Sequence, residues 1–293
     1  MDVKQLVKDV KEFRTAFEEE GPMVQGITPK EASDRLKRFE NEFELKETIY
    51  NVNQKGENLF GLQNQEYPAL LQTKKEISNL NKLYYLYNQV IETTSGWEEE
   101  AWSEIDSTHM KDWEEIVLKY SDNCKRLPAD LKGWQAFKDL KEKIENYKEI
   151  LPYIKDLKEP YIKDRHWDRI QELGGVELNY KTPDNFYFHE LLSANLLSFV
   201  EDLEDVIDSA KKQEKIEKQK NEVKDYWEDA SFIFKTWGSR EVFILSGSCV
   251  EEVQEKLDED ISTLSGLSAM RHVGPFKEEV QNWQETLIDI FST

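Results

Sequence analysis

Apolar residues recur along most of the chain at steps of three and four, the spacing that lines one face of an α-helix. Leu6, Val7, Val10, Phe13 and Phe17 define a first helix, and Gly21-Pro22 ends it. Thr28-Pro29-Lys30-Glu31 then reads as a helix start. The threonine oxygen accepts from a free backbone N–H, proline sits where no donor is needed, and Glu31 reaches back. The helix that follows carries Leu36, Phe39, Phe43 and Tyr50, and the polar stretch 51–60 around Gly56 is expected to be a loop. Ile77, Leu80, Leu83, Tyr84, Tyr87, Val90 and Ile91 form a continuous face, followed by an expected turn at 93–96. Ser95 and Glu98 read as a second capping box, and Trp97, Trp102 and Trp113 mark the helices beyond. Leu127-Pro128 breaks the chain before Trp134, Phe137, Ile144, Tyr147 and Leu151.

Pro152 and Pro160 punctuate the next stretch, and Gly174-Gly175 is the clearest hinge signal. Thr182-Pro183 repeats the Thr-Pro start. From about 184 the pattern continues through Leu196, Val200, Leu203, Ile207, Ala210 and Val223 to Trp227. A single helix over 184–228 would be ~65 Å long at ~1.5 Å per residue, which implies an elongated body. One place departs from helix. Phe232-Ile233-Phe234 and Val242-Phe243-Ile244-Leu245 are β-prone runs flanking Trp237-Gly238-Ser239-Arg240, which predicts a β-hairpin over 232–245. Ser248 and Glu251 then cap a helix bearing Val253, Leu257, Ile261 and Leu264, and Gly274-Pro275 precedes a last helix with Phe276, Val280, Trp283, Leu287 and Ile290. No fixed repeat emerges. The expected fold is all-α: an elongated stack of antiparallel helical bundles with one small hairpin.

Composition agrees with long helices of which one stripe packs and the rest meets water. Hydrophobic residues are 38% and charged residues 34% of the chain. The net charge of −21 repels nucleic acid, anionic headgroups and the acidic microtubule surface. The Lys-rich run 211–220 is interrupted by Glu214 and Glu217 and reads as a solvated face of salt-bridging pairs. Cys124 and Cys249 are far apart in sequence and form no CxxC, so a reducing compartment is expected. The N-terminus lacks the apolar core of a signal peptide, and no run approaches the ~20 apolar residues of a membrane span. An intracellular, soluble protein is the expectation.

Chemistry is harder to find. Neither GxxxxGK[ST] nor GxGxxG occurs, so no nucleotide site or cofactor is expected. His189-Glu190 begins like a zinc-protease helix, but position 193 is serine. Asp258-Glu259-Asp260 begins like a calcium loop, but Thr263 stands where glycine is required. No histidine lies near either cysteine in sequence, and Ser246-Gly247-Ser248 lacks the GxSxG frame. The tryptophans read as core residues.

A family resemblance rests on ordered phrases: Leu151-Pro152-Tyr153-Ile154-Lys155-Asp156-Leu157 and Lys163-Asp164-Arg165-His166-Trp167-Asp168-Arg169-Ile170. The hairpin followed by Ile244-Leu245-Ser246-Gly247, then Val253 to Asp260, and Arg271 to Pro275-Phe276 ending in Val280-Gln281-Asn282-Trp283, continue the series. Together they resemble the dynein heavy chain between tail and linker. Val24 to Leu36, Leu59-Phe60-Gly61-Leu62 with Tyr67-Pro68, and Leu127-Pro128 with Trp134-Gln135-Ala136-Phe137 are similar to axonemal outer-arm chains of the γ type.

The resemblance implies a tail bundle over 1–150 and the end of the tail with the first part of the linker over 151–293. The expected role is non-catalytic and mechanical: linking the cargo-binding tail to the lever that transmits ATP-driven motion for microtubule-based ciliary movement. The ATPase modules of the parent motor are absent from this chain. Implied partners are the rest of the heavy chain with its motor ring, other heavy chains, and intermediate and light chains. No nucleic acid, membrane or direct microtubule contact is expected. The implied location is the cytoplasm and cytoskeleton, in the axoneme of cilia or flagella. Arg165, His166 and Trp167 are the candidate junction, with Trp167 anchoring adjacent bundles and Arg165 paired with a carboxylate. An ordinary helix start around a buried tryptophan is the alternative for these three. Gly174, Gly175 and Gly238 are candidate joints. The alternative function is a free-standing helical adaptor that binds other proteins.

Overall fold

The computed structural model describes residues 3–63, 66–231, 233–236, 238, 243–245 and 247–292. Among them the helices are α1 (Val3–Glu20), α2 (Pro29–Leu59), α3 (Pro68–Glu98), α4 (Ser107–Lys125), α5 (Gln135–Leu157) and α6 (Asp164–Gly174). The short α7 (Phe188–Ser193), α8 (Val200–Asp229), α9 (Gly247–Ser268) and α10 (Lys277–Ser292) follow. The all-α fold with one hairpin is therefore observed. No described helix is long and apolar enough to cross a membrane.

Two compact units divide the chain: residues 1–155 with 178–197, and residues 156–177 with 198–293. The two units interleave along the sequence, because segment 178–197 packs with the first unit. Backbone pairing shows why. Trp102 N–H donates to Phe186 O at 2.6 Å, and Phe188 N–H donates to Glu100 O at 3.0 Å. The Trp102 and Phe186 rings meet at 5.7 Å.

In the first unit, Phe13, Phe17, Phe39 and Phe43 bring α1 onto α2, with centroids 5.4–6.3 Å apart between the two helices. Tyr84 of α3 is buried and donates its hydroxyl to Pro22 O at 2.9 Å. Burial pushes that phenol up to about 12. Trp97 stacks on Trp113 at 4.8 Å, and Phe188 packs on Trp113 at 5.2 Å. These contacts build the core from helices that sequence places far apart.

Thr28 caps α2 as expected, accepting from Glu31 N–H at 3.2 Å, with Pro29 in the first turn. Glu31 turns to Arg35 at 2.6 Å instead of reaching back. Three expected breaks are not breaks, and one expected start is not a helix start. The stretch 51–59 continues α2, held at its base by Tyr50 against Tyr67 at 5.4 Å. The stretch 93–96 lies within α3. There Thr93 bonds the Tyr120 hydroxyl at 2.8 Å, Thr94 is buried, and Trp97 beyond them is anchored in the core. Glu98 accepts from the Tyr147 hydroxyl at 2.7 Å in place of a box with Ser95. Pro152 lies inside α5, because buried Leu151, Ile154 and Leu157 hold the helix across it. Thr182-Pro183 opens only a 3₁₀ turn at Pro183–Asn185.

The helix expected over 184–228 is broken in its first third. Asn195 adopts φ 48°, which a helix does not tolerate, and α8 starts at Val200. Phe186, Phe188, Leu191 and Leu196 are all fully buried, more apolar surface than one face of a helix presents.

In the second unit, Ile216 and Val223 of α8 pack with Leu257, Leu264 and Leu267 of α9 and with Val273, Phe276, Val280 and Leu287. Trp227 Nε1–H donates to buried Asp260 at 2.8 Å, and Lys256 donates to the same carboxylate at 2.8 Å. The Lys-rich run forms the expected pairs, Lys212–Asp208 and Lys218–Glu222 among them. Lys220, however, is buried, paired with Glu279 and set over the Phe276 ring. The hairpin consists of Phe234–Thr236 (β1) and Phe243–Leu245 (β2), antiparallel, with Phe234 opposite Leu245 and Thr236 opposite Phe243. Phe232, Trp237, Ser239, Arg240, Val242 and Ser246 lie outside the described residues. Since α9 begins at Gly247, Ser248 falls in its first turn and not at the cap.

Candidate functional site

Arg165, His166 and Trp167 occupy the first turn of α6, where the leading backbone N–H groups need acceptors from outside the helix. His166 supplies one acceptor. Its Nδ1 receives the Lys163 N–H at 2.9 Å. The proton therefore sits on Nε2, which donates to Gln213 Oε1 of α8 at 3.0 Å. Arg165 Nε donates to the same oxygen at 2.7 Å. Its guanidinium lies over Phe276, 5.2 Å from the ring centroid. Trp167 is buried, and Ile170 one turn on is fully buried.

One amide oxygen thus gathers two donors from consecutive residues, and one aromatic ring accepts two cations, Arg165 and Lys220. The arrangement fixes α6 against α8 and against the 3₁₀ turn Gly274–Phe276. An amide and a ring serve Arg165 where a carboxylate was expected. Burial lowers the His166 pKa, and the positive charges of Arg165 and Lys163 add to that, against the Gln213 hydrogen bond. The ring is a neutral structural link. A second pin lies nearby: Lys211 Nζ is 3.0 Å from both oxygens of Asp156, which also accepts from the Tyr161 hydroxyl at 3.0 Å.

The glycines fall elsewhere. Gly174 is the last residue of α6, and Gly175 ends the helix in the left-handed region at φ 63°. Gly238 is also left-handed, φ 62°, between the two strands. The structure gathers Arg165, His166 and Trp167 into one turn, and leaves Gly174 and Gly175 at the end of α6 and Gly238 in the connection between the strands. Gln213 and Phe276, the residues that complete the cluster, carried no such signal. Gln213 sits in the Lys-rich run, and Phe276 read only as a core position.

The remaining motifs have structural partners. His189 Nδ1 bonds Glu98 O at 3.0 Å, and Glu190 accepts from Tyr187 N–H at 3.1 Å and from Asn179 at 2.8 Å. Asp260 holds Trp227 and Lys256. Cys124 is buried, which pushes its thiol up, and Cys249 is buried as well. Among the described residues, no group of three or more His, Cys, Asp or Glu could hold a metal ion.

Residues 70–293 match the family model described as dynein heavy chain, N-terminal region 2. The chain is 34% identical over 285 residues to dynein axonemal heavy chain 5 of Rattus norvegicus, covering 97% of this chain and 8% of that protein. It is 35% identical over 276 residues to dynein axonemal heavy chain 8 of Homo sapiens, covering 94% and 6%. With the dynein gamma chain, flagellar outer arm, of Chlamydomonas reinhardtii it shares 36% over 282 residues, covering 96% and 6%. The chain therefore spans under a tenth of the length of these relatives, and the matching model is that of an N-terminal region, not of an ATPase module.

Proposed function

The chain belongs to the dynein heavy chain family, and from that premise we propose that it is the tail-to-linker segment of an axonemal heavy chain. In this reading it is a non-catalytic mechanical element of the outer arm, joining the cargo-binding tail to the lever moved by the ATPase ring. Residues 1–150 belong to the tail, and residues 151–293 to the end of the tail and the start of the linker. Its partners are the motor ring of the same chain, other heavy chains, and intermediate and light chains. Its place is the axoneme of a cilium or flagellum.

The observation that carries the reading is similarity of 34–36% extending over nearly the whole chain to axonemal heavy chains, one of them a flagellar outer-arm chain. The geometry suits the role. A body that carries force resists bending through close-packed side chains. The Arg165–His166–Trp167 turn, fastened to Gln213 and Phe276, acts as the fixed junction. Gly174-Gly175, at the end of α6, and Gly238, between the strands, serve as the joints.

A chimera tests this. The matching segment of the Chlamydomonas gamma chain is replaced by residues 1–293, and a second chimera carries a flexible Gly-Ser insertion after Gly175. The first is expected to assemble outer arms that beat. The second is expected to assemble arms with reduced beat frequency. Failure of the first to assemble defeats the assignment, whereas equal beating by both removes the mechanical role from this joint. ATP turnover by the purified chain would contradict a non-catalytic segment.

A further inference from the structure

The pair Thr-Pro stands at 28–29 and again at 182–183, in different surroundings. Thr28 caps α2, its hydroxyl oxygen accepting from Glu31 N–H at 3.2 Å, and the chain after it is helical to Leu59. Thr182 lies in the connection 175–187 between α6 and α7, where the one helical piece is the 3₁₀ turn Pro183–Asn185. Lys181, Thr182, Pro183, Asp184 and Asn185 are all exposed. On either side, Tyr180 and Phe186 are buried. The five residues form an exposed arch on the first unit, with an aromatic foot at each end.

Hydrogen bonds hold the arch down. Thr182 N–H donates to Asn179 O at 2.9 Å, and the Thr182 hydroxyl donates to the same carbonyl at 3.2 Å. Asn179 Nδ2 donates to Glu190 at 2.8 Å, and Glu190 accepts from Tyr187 N–H at 3.1 Å at the start of α7. Pro183 O accepts from Ser103 N–H at 3.3 Å, next to the Trp102–Phe186 and Phe188–Glu100 bonds. Thr182 is thus one residue from the first of the bonds that fasten this segment to residues 100–103.

We propose that Thr182 is a phosphorylation site for a proline-directed protein kinase, and that the phosphate loosens segment 178–197 from residues 100–103. Such kinases select a proline directly after the hydroxyl and bind the surrounding peptide extended, so the site has to leave its fold at little cost. At Thr182 that takes one 3₁₀ turn, a weak element. At Thr28 it takes the first turn of a 31-residue helix. In the reaction the Thr182 oxygen bonds to the γ-phosphorus of ATP. The bond from that phosphorus to its bridging oxygen breaks, ADP leaves, and the hydroxyl proton passes to the kinase's base. The product adds about −1.5 to −2 charge at neutral pH. The esterified oxygen has no proton to give, so the bond to Asn179 is lost. Asp184, and Glu104 beside the Ser103–Pro183 bond, carry the same sign as the phosphate. Lys181 is the adjacent cation, and it lies over the Tyr180 ring at 5.4 Å. A phosphate set next to carboxylates disrupts by repulsion. This proposal goes beyond the mechanical reading and does not depend on it.

The test incubates the whole chain with ATP, magnesium and an active cyclin-dependent or mitogen-activated kinase. The variants Thr182→Ala, Thr28→Ala and Pro183→Ala, and a synthetic peptide of residues 175–189, are run beside it. Phosphate is located by mass spectrometry, and backbone hydrogen exchange is compared before and after phosphorylation. Phosphate is expected on Thr182 of the natural chain at least tenfold faster than on Thr28. It is expected to be absent from Thr182→Ala and at least tenfold slower to appear in Pro183→Ala. Exchange at Trp102 and Phe188 should quicken at least tenfold on phosphorylation, with α9 unchanged. Labelling of the peptide but not of the natural chain, or of Thr28 as fast as Thr182, refutes the site. Phosphate on Thr182 with unchanged exchange at Trp102 and Phe188 refutes the loosening. Both readouts are taken on the natural chain, so a variant that misfolds does not decide the outcome.

Discussion

At the scale of single residues, the junction turns on the tautomer of His166. A neutral ring accepts from Lys163 N–H and donates to Gln213, and protonation would destroy the first bond. Its pKa is lowered in the fold, chiefly by burial, below an ordinary value of about 6.5. The unfolded chain therefore binds the proton first as pH falls. The contribution of the neutral ring is fully present above about 6.5 and is lost as pH drops below it. Thermal melts at pH 7.5 and 5.5 should show a larger drop for the natural chain than for His166→Asn. Comparing the two variants removes the opposing contribution of His109, whose pKa is raised by the Asp106 carboxylate. Two glycines make a matched pair. A Cβ at Gly56 or Gly175 meets nothing, but only Gly175 has positive φ. Gly56→Ala should stabilise by ~0.5–1 kcal/mol, and Gly175→Ala should destabilise by ~1–2 kcal/mol, read from urea midpoints.

At the scale of elements, the helices run further than local propensity allows. Gly56, Thr93-Thr94 and Pro152 are each poor helix residues, and each sits inside a helix here. The reason is that propensity is worth about a kcal/mol per residue or less for glycine and threonine, while burying one large side chain contributes ~1.5–3 kcal/mol. Trp97 outweighs the threonines, and Leu151 with Ile154 outweighs the proline. Pro152 is exposed and leaves the Lys148 carbonyl without its helical donor. Pro152→Ala should restore that bond and stabilise the first unit by up to ~3 kcal/mol, measured by denaturant unfolding. Starts were more legible than ends. Thr28-Pro29 worked because its cap is local, whereas Thr182-Pro183 leads into a chain held by Glu100 and Trp102, some eighty positions away.

For the whole molecule, charge is the dominant global property. A net −21 places mutual repulsion on the folded state, and most ion pairs are exposed pairs worth little. Raising sodium chloride from about 20 to about 200 mM shortens the screening length from ~20 Å toward ~7 Å, so the melting midpoint should rise. A fall would mean that the ion pairs matter more than the repulsion. The same charge disfavours self-association.

The sequence by itself determined the helical class, the apolar faces of α1, α3, α8 and α9, the hairpin and the family. Each is a local or ordered signal: a period of three to four, a β-prone run, or a series of phrases in fixed order. Only the tertiary structure decided that 178–197 joins the first unit, that Asn195 breaks the long helix, and that Gln213 and Phe276 complete the junction. These depend on contacts between residues 47 to 111 positions apart, and no local pattern encodes such pairings.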